Sequence, residues 1–340
     1  MARERVVVVG AGNISRVWLE ALAAEKVTTA AVVDLDVARA KTRIEDYKLS
    51  AEASSDMKAM IRKYHPDFVI DLTVPEAHCA VACTAMQMGC HVVSEKPMAP
   101  TMAQARKMVK TSEKTGRLYM VSQSRRYFSN HEMTQRVVAS GRVGALTTLN
   151  CDFYRGGHMG GFREQMASPL ILDMAIHHFD MARYLSGADP VAVYAREFNP
   201  SGSWFKGDAA ASCIFEMTGG IIFTYRGSWT SMGYITSWNG SWRIHGEIGG
   251  ILMENDEAPR TQVLAGKTGF IWPMKDVKAP ARKLKHETFR GALRDMLAFI
   301  RTGRKPVTEC HDNIKSLAMV HAAIESSRKG RRVPVVTGLE

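Results

Sequence analysis

An aspartate and a histidine four residues apart, Asp173 and His177, are the first candidates for proton transfer in this sequence. The surrounding residues predict a long helix with Ser168 as its N-cap and Pro169 as its first residue. Positions four apart share one face of a helix, so the carboxylate can hydrogen-bond the imidazole or support its charge. A solvated surface pair is the alternative interpretation.

Two neighbours of this pair carry further polar groups. His178 shares a face with Met174 and Met181, which favours a packed or supporting role. Asp180 lies on the His177 side, where it either extends a polar network or faces solvent.

A second candidate group, Glu95-Lys96-Pro97, follows the apolar run Val92–Ser94. Pro97 predicts an extended backbone at Lys96, which can direct the ammonium group into a cleft; an ordinary surface lysine is the alternative. His78, which follows Pro75, either contacts a cofactor or caps the helix that begins there.

The run Val6–Val9 is followed by a glycine turn, Gly10-Ala11-Gly12-Asn13-Ile14, and the next apolar run ends at Asp34. A tight turn needs a residue free to take positive φ, and a backbone without Cβ atoms can approach a pyrophosphate closely. The third small residue of the dinucleotide fingerprint is Ser15 here. The pattern predicts a dinucleotide site, with an ordinary strand-to-helix turn as the alternative.

The elements that must position these residues change in character along the chain. The first third alternates short β-branched runs with helical patterns, which predicts an α/β fold with a Rossmann-type doubly wound parallel sheet. Ligands on such sheets collect at the carboxyl ends of the strands. We therefore expect three loops to meet there: Gly10–Asn13, Thr73–His78 and Glu95–Pro97.

After about Ser124 the sequence predicts a C-terminal α+β domain with a large, mainly antiparallel, open-faced sheet. Its strands are rich in Val, Ile, Phe, Tyr and Trp, and Thr218-Gly219-Gly220 forms a hairpin turn between two of them. The predicted domains are residues 1–124 and 125–340, with the last helices able to pack back on the first domain.

The composition is that of a soluble globular protein, with 340 residues, 46% hydrophobic and 23% charged. No run is long enough for a signal-peptide core or a membrane span, so the cytoplasm is the expected compartment. The six cysteines lack paired spacing, which predicts free thiols and no metal site.

The formal net charge of +11 raises the question of a nucleic-acid partner. The basic clusters Arg328–Arg332 and Arg282–Lys285 are short and accompany no nucleic-acid-binding motif. Binding of an anionic cofactor, and of an anionic substrate, is enough to account for part of this positive charge. We expect neither a nucleic acid nor a membrane as a partner.

Motifs with possible chemistry follow one another along nearly the whole chain: Gly10-x-Gly12, Asp34, Thr73-x-Pro75-x-x-His78, Glu95-Lys96-Pro97, Arg125-Arg126-Tyr127 and Asp173-x-x-x-His177-x-x-Asp180. Their order resembles the Gfo/Idh/MocA family of NAD(P)-dependent oxidoreductases, which includes inositol and glucose-fructose oxidoreductases.

The resemblance implies that Lys96 contacts the reacting hydroxyl, that His177 is the general base, and that Asp173 binds substrate and orients the site. It also implies the residues that line the dinucleotide: Gly10, Gly12, Asn13, Ile14, Asp34, Thr73, Pro75, His78, Glu95, Lys96 and Gln123. The reaction it implies is reversible oxidation of a secondary hydroxyl on a sugar or polyol. Ala175 stands where the family often has glycine, and its methyl group is expected to narrow the pocket.

Asp34 favours NAD over NADP, because its carboxylate can take both ribose hydroxyls and repels a 2′-phosphate; NADP stays an alternative. The substrate candidates are Arg155, His158, Arg163 and Tyr234. Trp229 and Trp238 offer aromatic faces that suit sugar rings, with sheet or subunit packing as the alternative. We expect a homodimer or homotetramer that assembles through the C-terminal sheet.

Two other functions fit the same residues. Some related enzymes oxidise and re-reduce a sugar during glycoside cleavage or isomerisation, with no net redox change. A cofactor-sensing regulator without turnover is the other, although it would not need Lys96, Asp173 and His177.

Overall fold

The computed structural model describes residues 3–279 and 284–339. Arg282 and Lys283 of the second basic cluster lie outside these ranges. The described residues form two compact units. One contains the chain up to Tyr127, His286–Ile314 and the segment from Thr337, and the other contains Phe128–Lys285 and Lys315–Val336.

The first unit holds a six-stranded parallel sheet in the order β3-β2-β1-β4-β5-β6. The strands are β1 (Arg5–Val9), β2 (Thr28–Val33), β3 (Glu52–Ser54), β4 (Phe68–Asp71), β5 (His91–Ser94) and β6 (Tyr119–Val121). This order is that of a doubly wound dinucleotide-binding sheet, so the predicted fold of the first third is confirmed. Strand β3 leaves no pattern in the sequence, because it has three residues and none is fully buried.

Helices connect these strands: α1 (Ser15–Ala24), α2 (Val37–Asp46), α3 (Met57–Tyr64), α4 (Pro75–Gln87) and α5 (Met102–Thr115). Helix α5 begins where its capping residues predict, since the Thr101 hydroxyl accepts from the Gln104 N–H at 3.3 Å. Gly116 ends it in the left-handed conformation.

A 3₁₀ helix, Ser124–Tyr127, follows β6, and helix α9 (Thr288–Thr302) packs beside it in the same unit. A Cβ on Gly291 of α9 would lie 2.7 Å from the Tyr127 side chain. Buried Leu293 and Met296 place α9 in the core with Trp18 of α1. A late segment of the chain thus completes the core of the first unit.

The second unit contains a nine-stranded sheet in the order β14-β13-β12-β11-β7-β10-β9-β8-β15. Its strands are β7 (Leu146–Tyr154), β8 (Pro190–Phe198), β9 (Ala210–Met217), β10 (Ile222–Ser228), β11 (Ser241–Gly246), β12 (Gly249–Met253), β13 (Arg260–Leu264), β14 (Met274–Val277) and β15 (Val333–Pro334). All neighbouring pairs are antiparallel except β7 and β10, which run parallel. The predicted mainly antiparallel sheet is confirmed, and residues 218–220 connect β9 to β10 as expected.

Helices cover one face of this sheet. Helix α6 (Ser129–Ala139) packs against α8 (Ile176–Ser186), which contacts β7, and a short helix α7 (Phe162–Gln165) lies between them in the chain. Leu149, Cys151 and Phe153 of β7 are buried, and they alternate with half-buried residues along the strand. Helix α10 (Cys310–Lys329) contributes its first turn to the first unit and the rest to the second.

Candidate active site

The glycine turn lies directly against the end of β4. Gly10 has a φ of +101°, and a Cβ at this position would lie 2.6 Å from the Leu72 carbonyl oxygen. Both facts require glycine. A Cβ on Gly12 would meet no atom within 4 Å, so this residue faces open space.

The backbone of the turn presents unused donors. The Gly10 and Ala11 N–H groups bond Val33 and Asp34, but the N–H groups of Gly12, Asn13 and Ile14 have no acceptor among the residues that the structure describes. Three successive free N–H groups before a helix form an anion-binding cradle. The turn therefore fits a dinucleotide pyrophosphate, with Gly12 leaving room for it.

Asp34 is held beside the turn by its own backbone bonds. Its Oδ2 accepts from the Ala11 N–H at 2.7 Å and its Oδ1 accepts from the Asp36 N–H at 2.9 Å. Asp36 in turn caps α2 through the Ala38 N–H. A carboxylate has about four lone-pair directions, so Asp34 retains acceptor capacity for ribose hydroxyls.

His78 connects two of the three predicted loops. Its Nδ1 lies 3.0 Å from the Pro97 carbonyl oxygen and its Nε2 lies 3.1 Å from the Thr73 carbonyl oxygen. Together with the contact of Gly10 at Leu72, this confirms that the three loops meet. His78 has no exposed surface, and its ring ties the Thr73–His78 and Glu95–Pro97 loops together. A contact between His78 and the cofactor stays a prediction.

Glu95 and Lys96 follow β5 at the same edge of the sheet. The Trp18 indole N–H donates to Glu95 Oε1 at 2.8 Å, and the Lys96 backbone N–H lies 3.4 Å from Glu95 Oε2. Burial raises the pKa of Glu95, although the Trp18 hydrogen bond and the Lys96 charge partly oppose it. The peptide bond between Lys96 and Pro97 is cis.

Thr73 and Pro75 are half-exposed at this edge, and Thr73 donates its hydroxyl to Asp71 at 2.6 Å. Gln123 lies just beyond β6 and is 1% exposed. Neither polar atom of its amide has a partner among the residues that the structure describes. A buried amide of this kind needs a hydrogen-bonding partner, which suits the predicted place of Gln123 beside a ligand.

The helix that carries Asp173 and His177 is not a regular α-helix throughout. Leu170–Ala175 is a π-helix, and α8 continues from it at Ile176. The predicted single α-helix is therefore wrong in its first part. Because a π-helix bonds residues five apart, the shared face of Asp173 and His177 stays a prediction. His177 is 9% exposed, and π-helical turns occur frequently at functional sites. Ala175 is fully buried, so its methyl group belongs to the packing and does not narrow a pocket.

Asp173 is paired with a residue of the preceding glycine-rich segment. Arg163 of α7 donates from Nε to Asp173 Oδ2 at 2.7 Å, with the side chains 38% and 13% exposed. A charge-assisted bond of this length fixes the position of the Asp173 carboxylate. Of the four substrate candidates, Arg163 is the one with a described contact to a predicted catalytic residue.

His178 and Asp180 are both buried, and they take different roles. His178 packs against the rings of Phe153 and Tyr225, at 5.0 and 5.5 Å between centroids, as the packed interpretation expects. Asp180 accepts from the Ser316 hydroxyl at 2.7 Å. Ser316 also receives a bond from Arg183, so Asp180 extends a polar network and does not face solvent.

The other substrate candidates are spread over the loops of the second unit. The Arg155 guanidinium lies 4.4 Å from the Trp238 ring centroid, and His158 stacks on Trp204 at 3.9 Å. Tyr234 is fully exposed, in the left-handed region with a φ of 46°.

Trp229 and Trp238, the two tryptophans predicted to offer aromatic faces, have different surroundings. Trp229 is 2% exposed and stacks on Phe205, so it is a packing residue, whereas Trp238 is 46% exposed.

Sequence reasoning missed several residues near these groups. Trp204 lies under His158, Trp18 bonds Glu95, and Arg43 bonds Ser15 at the glycine turn. Only Arg43 leaves a signal in the sequence, as a charged residue beside the apolar positions of α2. The other two depend on contacts between residues far apart in the chain.

Comparison with known proteins identifies the family. Residues 4–123 match the model of the GFO/IDH/MocA oxidoreductase family with an NAD-binding Rossmann fold. Residues 131–252 match the GFO/IDH/MocA C-terminal domain. The chain belongs to the GFO/IDH/MocA oxidoreductase family. Its first unit is therefore an NAD-binding Rossmann domain, which agrees with the open cradle at Gly12.

Relatives with assigned activities are distant. A D-apiose dehydrogenase of Paraburkholderia graminis is 25% identical over 294 residues, which cover 82% of this chain and 75% of the relative. An inositol 2-dehydrogenase of Salmonella typhimurium is 27% identical over 192 residues, 55% of this chain and 56% of the relative. Both relatives are named dehydrogenases, and the protein is an enzyme of the same oxidoreductase family.

A solved structure shares the whole fold. An oxidoreductase from Agrobacterium radiobacter, crystallised with NAD⁺, L-tartaric acid and magnesium, superposes with a TM-score of 0.86. The match covers 98% of this chain and 99% of that chain at 22% identity. Separately, no helix within residues 3–279 and 284–339 has the length and apolar character needed to cross a membrane.

Proposed function

We propose that this enzyme reversibly oxidises a secondary hydroxyl of a sugar, polyol or sugar derivative with NAD. The observation that carries the proposal is the Asp173 carboxylate, held by Arg163 in the π-helical segment four residues before the buried His177. A histidine is suited to remove a proton from a hydroxyl group. Membership in an oxidoreductase family with an NAD-binding domain supports the same reaction.

Each of three side chains takes one role. His177 removes the proton of the substrate hydroxyl, and Lys96 donates a hydrogen bond to the oxygen that becomes a carbonyl. Asp173, held by Arg163, accepts a hydrogen bond from a substrate hydroxyl and orients the ring. NAD, when bound, accepts the hydride from the same carbon.

The substrate class is supported by the side chains on the loops of the second unit. Guanidinium groups and exposed aromatic rings suit hydroxyl-rich molecules and sugar rings, and Arg155 with Trp238, and His158 with Trp204, provide both. Two relatives are named for D-apiose and inositol. A sugar or a cyclic polyol is therefore the substrate that we propose.

NAD is the cofactor that we propose over NADP. The Asp34 carboxylate is fixed at the end of β2 by two backbone N–H groups, so it cannot turn away from a 2′-phosphate without losing both bonds. The negative charge of Asp34 repels the 2′-phosphate of NADP and so disfavours that cofactor. Asp36 lies nearby, but its charge is paired with Arg39 at 3.4 Å, so the preference for NAD rests on Asp34.

The decisive experiment measures nicotinamide absorbance with NAD and with NADP against inositols, aldoses, glycosides and sugar acids. We expect turnover with NAD on at least one polyol or aldose. The Lys96→Ala variant, purified in parallel, controls for contaminating dehydrogenases. NAD binding without turnover on any compound would favour a cofactor-sensing regulator, and sugar cleavage without net reduction of NAD would favour transient redox chemistry.

We also propose that the protein assembles through the open face of the second sheet. Tyr194 of β8 and Ile214 of β9 are cross-strand partners, and both are about half exposed, as is Phe198. Exposed apolar groups in a row on a sheet are typical of an interface. Light scattering should give the mass of a dimer or tetramer, and a monomeric mass would contradict this proposal.

We propose that the enzyme acts in the cytoplasm. All six cysteines are free thiols, and all are buried, which suits a reducing compartment. Fractionation of the producing cells, followed by detection of the protein, tests this location.

A further inference from the structure

Arg43 is a buried cation on an otherwise ordinary surface helix. It lies in α2, where Ala40 is the other buried residue, and its own relative exposure is 9%. Arginine is rarely buried unless its donors are occupied. The partners of Arg43 therefore indicate why it is there.

The guanidinium reaches from α2 to the glycine turn. Its Nε donates to the Ser15 hydroxyl at 3.0 Å, and Nη1 bonds Asp46 Oδ2 at 3.1 Å. The Ser15 hydroxyl donates to the Gly12 carbonyl oxygen at 2.6 Å. Arg43, Ser15 and the Gly12 carbonyl thus form one chain of hydrogen bonds.

This chain ends on a peptide group that faces the cofactor site. The Gly12 carbonyl and the Asn13 N–H belong to the same peptide, and that N–H is one of the three donors without an acceptor in the described part of the chain. Hydrogen bonds in a chain polarise one another. A carbonyl that receives both the Ser15 hydroxyl and the Ser15 N–H makes its peptide N–H a stronger donor.

We propose that Arg43, acting through Ser15, is a positioning residue that strengthens phosphate binding by the Gly12–Asn13 peptide. The buried positive charge adds to the field of the helix N-terminus at the place where a pyrophosphate binds. The proposal also accounts for Ser15, which replaces a smaller residue: its hydroxyl is needed to connect the arginine to the turn.

The test measures NAD binding by titration calorimetry and requires no substrate. We expect Arg43→Met to weaken NAD binding by about five- to tenfold, because it removes a charge-assisted hydrogen bond and a charge near the phosphates. Lys41→Met is the matched control, with the same change in charge on the same helix but an exposed side chain. It should bind NAD like the unchanged protein.

Two further measurements separate a role in binding from a role in folding. NAD affinity of the unchanged protein should fall more steeply with salt than that of Arg43→Met, since one charge is missing in the variant. Ser15→Ala should weaken binding by about threefold, and the double variant should lose less than the product of the two single losses, because both residues act through one chain.

Arg43→Lys retains the charge and should recover part of the affinity. Equal NAD affinity in Arg43→Met and Lys41→Met, or additive losses in the double variant, would overturn the proposal. These results concern binding alone, so they stand apart from the outcome of the substrate assays.

Discussion

The glycine turn and the helical segment of residues 170–186, which we propose as the catalytic helix, hold their polar groups by different means. At the turn, backbone groups provide most of the contacts: Ala11 and Asp36 N–H groups fix Asp34, and carbonyls of Thr73 and Pro97 engage His78. Around the catalytic helix, a side chain fixes a side chain, as Arg163 does for Asp173.

The difference separates what the fold determines from what individual residues determine. Backbone contacts at the edge of a parallel sheet follow from strand order, so many sequences can form the turn. The Arg163–Asp173 pair requires two particular side chains. We therefore expect changes at the catalytic helix to alter turnover or substrate affinity while leaving NAD binding intact.

The largest expected effect comes from His177→Asn. Loss of a general base should lower turnover by about 100- to 10,000-fold, while the dissociation constant for NAD changes by less than about twofold. Stopped-flow or steady-state rates and calorimetry give the two quantities. His65→Asn is the control, because His65 is exposed and its left-handed conformation suits asparagine. A parallel loss of NAD affinity would mean that the two regions are not independent.

A smaller effect is expected from Arg163→Met. Loss of the bond to Asp173 should raise KM for the substrate by about tenfold, with a smaller change in kcat, since the carboxylate remains but is no longer fixed. Arg163→Lys should restore part of the loss. Arg260→Met removes an exposed ion pair with Glu254 in the same unit and should behave like the unchanged enzyme. An unchanged KM in Arg163→Met would remove Arg163 from substrate positioning.

The smallest effect concerns Glu197, which accepts a bond from Ser168 at the start of the catalytic helix at 3.3 Å. Burial raises the pKa of this carboxyl to about 7, and Asp208 adds to the rise. Because the folded protein holds this proton more tightly than the unfolded chain does, protonation of Glu197 stabilises the fold at low pH. This contribution to the free energy of unfolding is lost as the pH rises through about 7.

The free energy of unfolding of Glu197→Gln minus that of the unchanged protein should therefore be about 2 kcal/mol larger at pH 8.5 than at pH 5. Thermal unfolding at both values measures this gain. Glu216→Gln, at an exposed residue paired with Arg332, is the control and should show no such gain. A constant difference for Glu197→Gln across this range would contradict the raised pKa.

The sequence predicted the first unit better than the second for a physical reason. Local signals determine β1, α1 and β2: a β-branched run, a glycine turn and a terminal aspartate lie within 34 residues. The capping residues Thr101 and Gly116 set the ends of α5 in the same way. These features depend on neighbours in the chain, so the pattern is enough.

Three features of the second unit and of the turn depend on contacts that no local pattern contains. The π-helical turn before Ile176 differs from an α-helix by one residue per turn, which hydrophobic spacing does not resolve. The Arg163–Asp173 and Arg43–Ser15 bonds join different elements. The motifs identified the family, and tertiary packing determined which side chains hold the candidate residues in place.

The parallel pairing of β7 with β10 has a consequence for how specificity can change. The connection between the parallel neighbours β7 and β10 is residues 155–221, a long stretch that also contains β8 and β9. That single stretch contains Arg155, His158 and Arg163, as well as Asp173 and His177. Exchanging it with the corresponding stretch of another dehydrogenase would replace, in one step, most of the residues that we propose recognise the substrate. New substrate specificities can therefore arise by recombination at the two ends of this stretch, while the glycine turn of the NAD-binding domain stays unchanged.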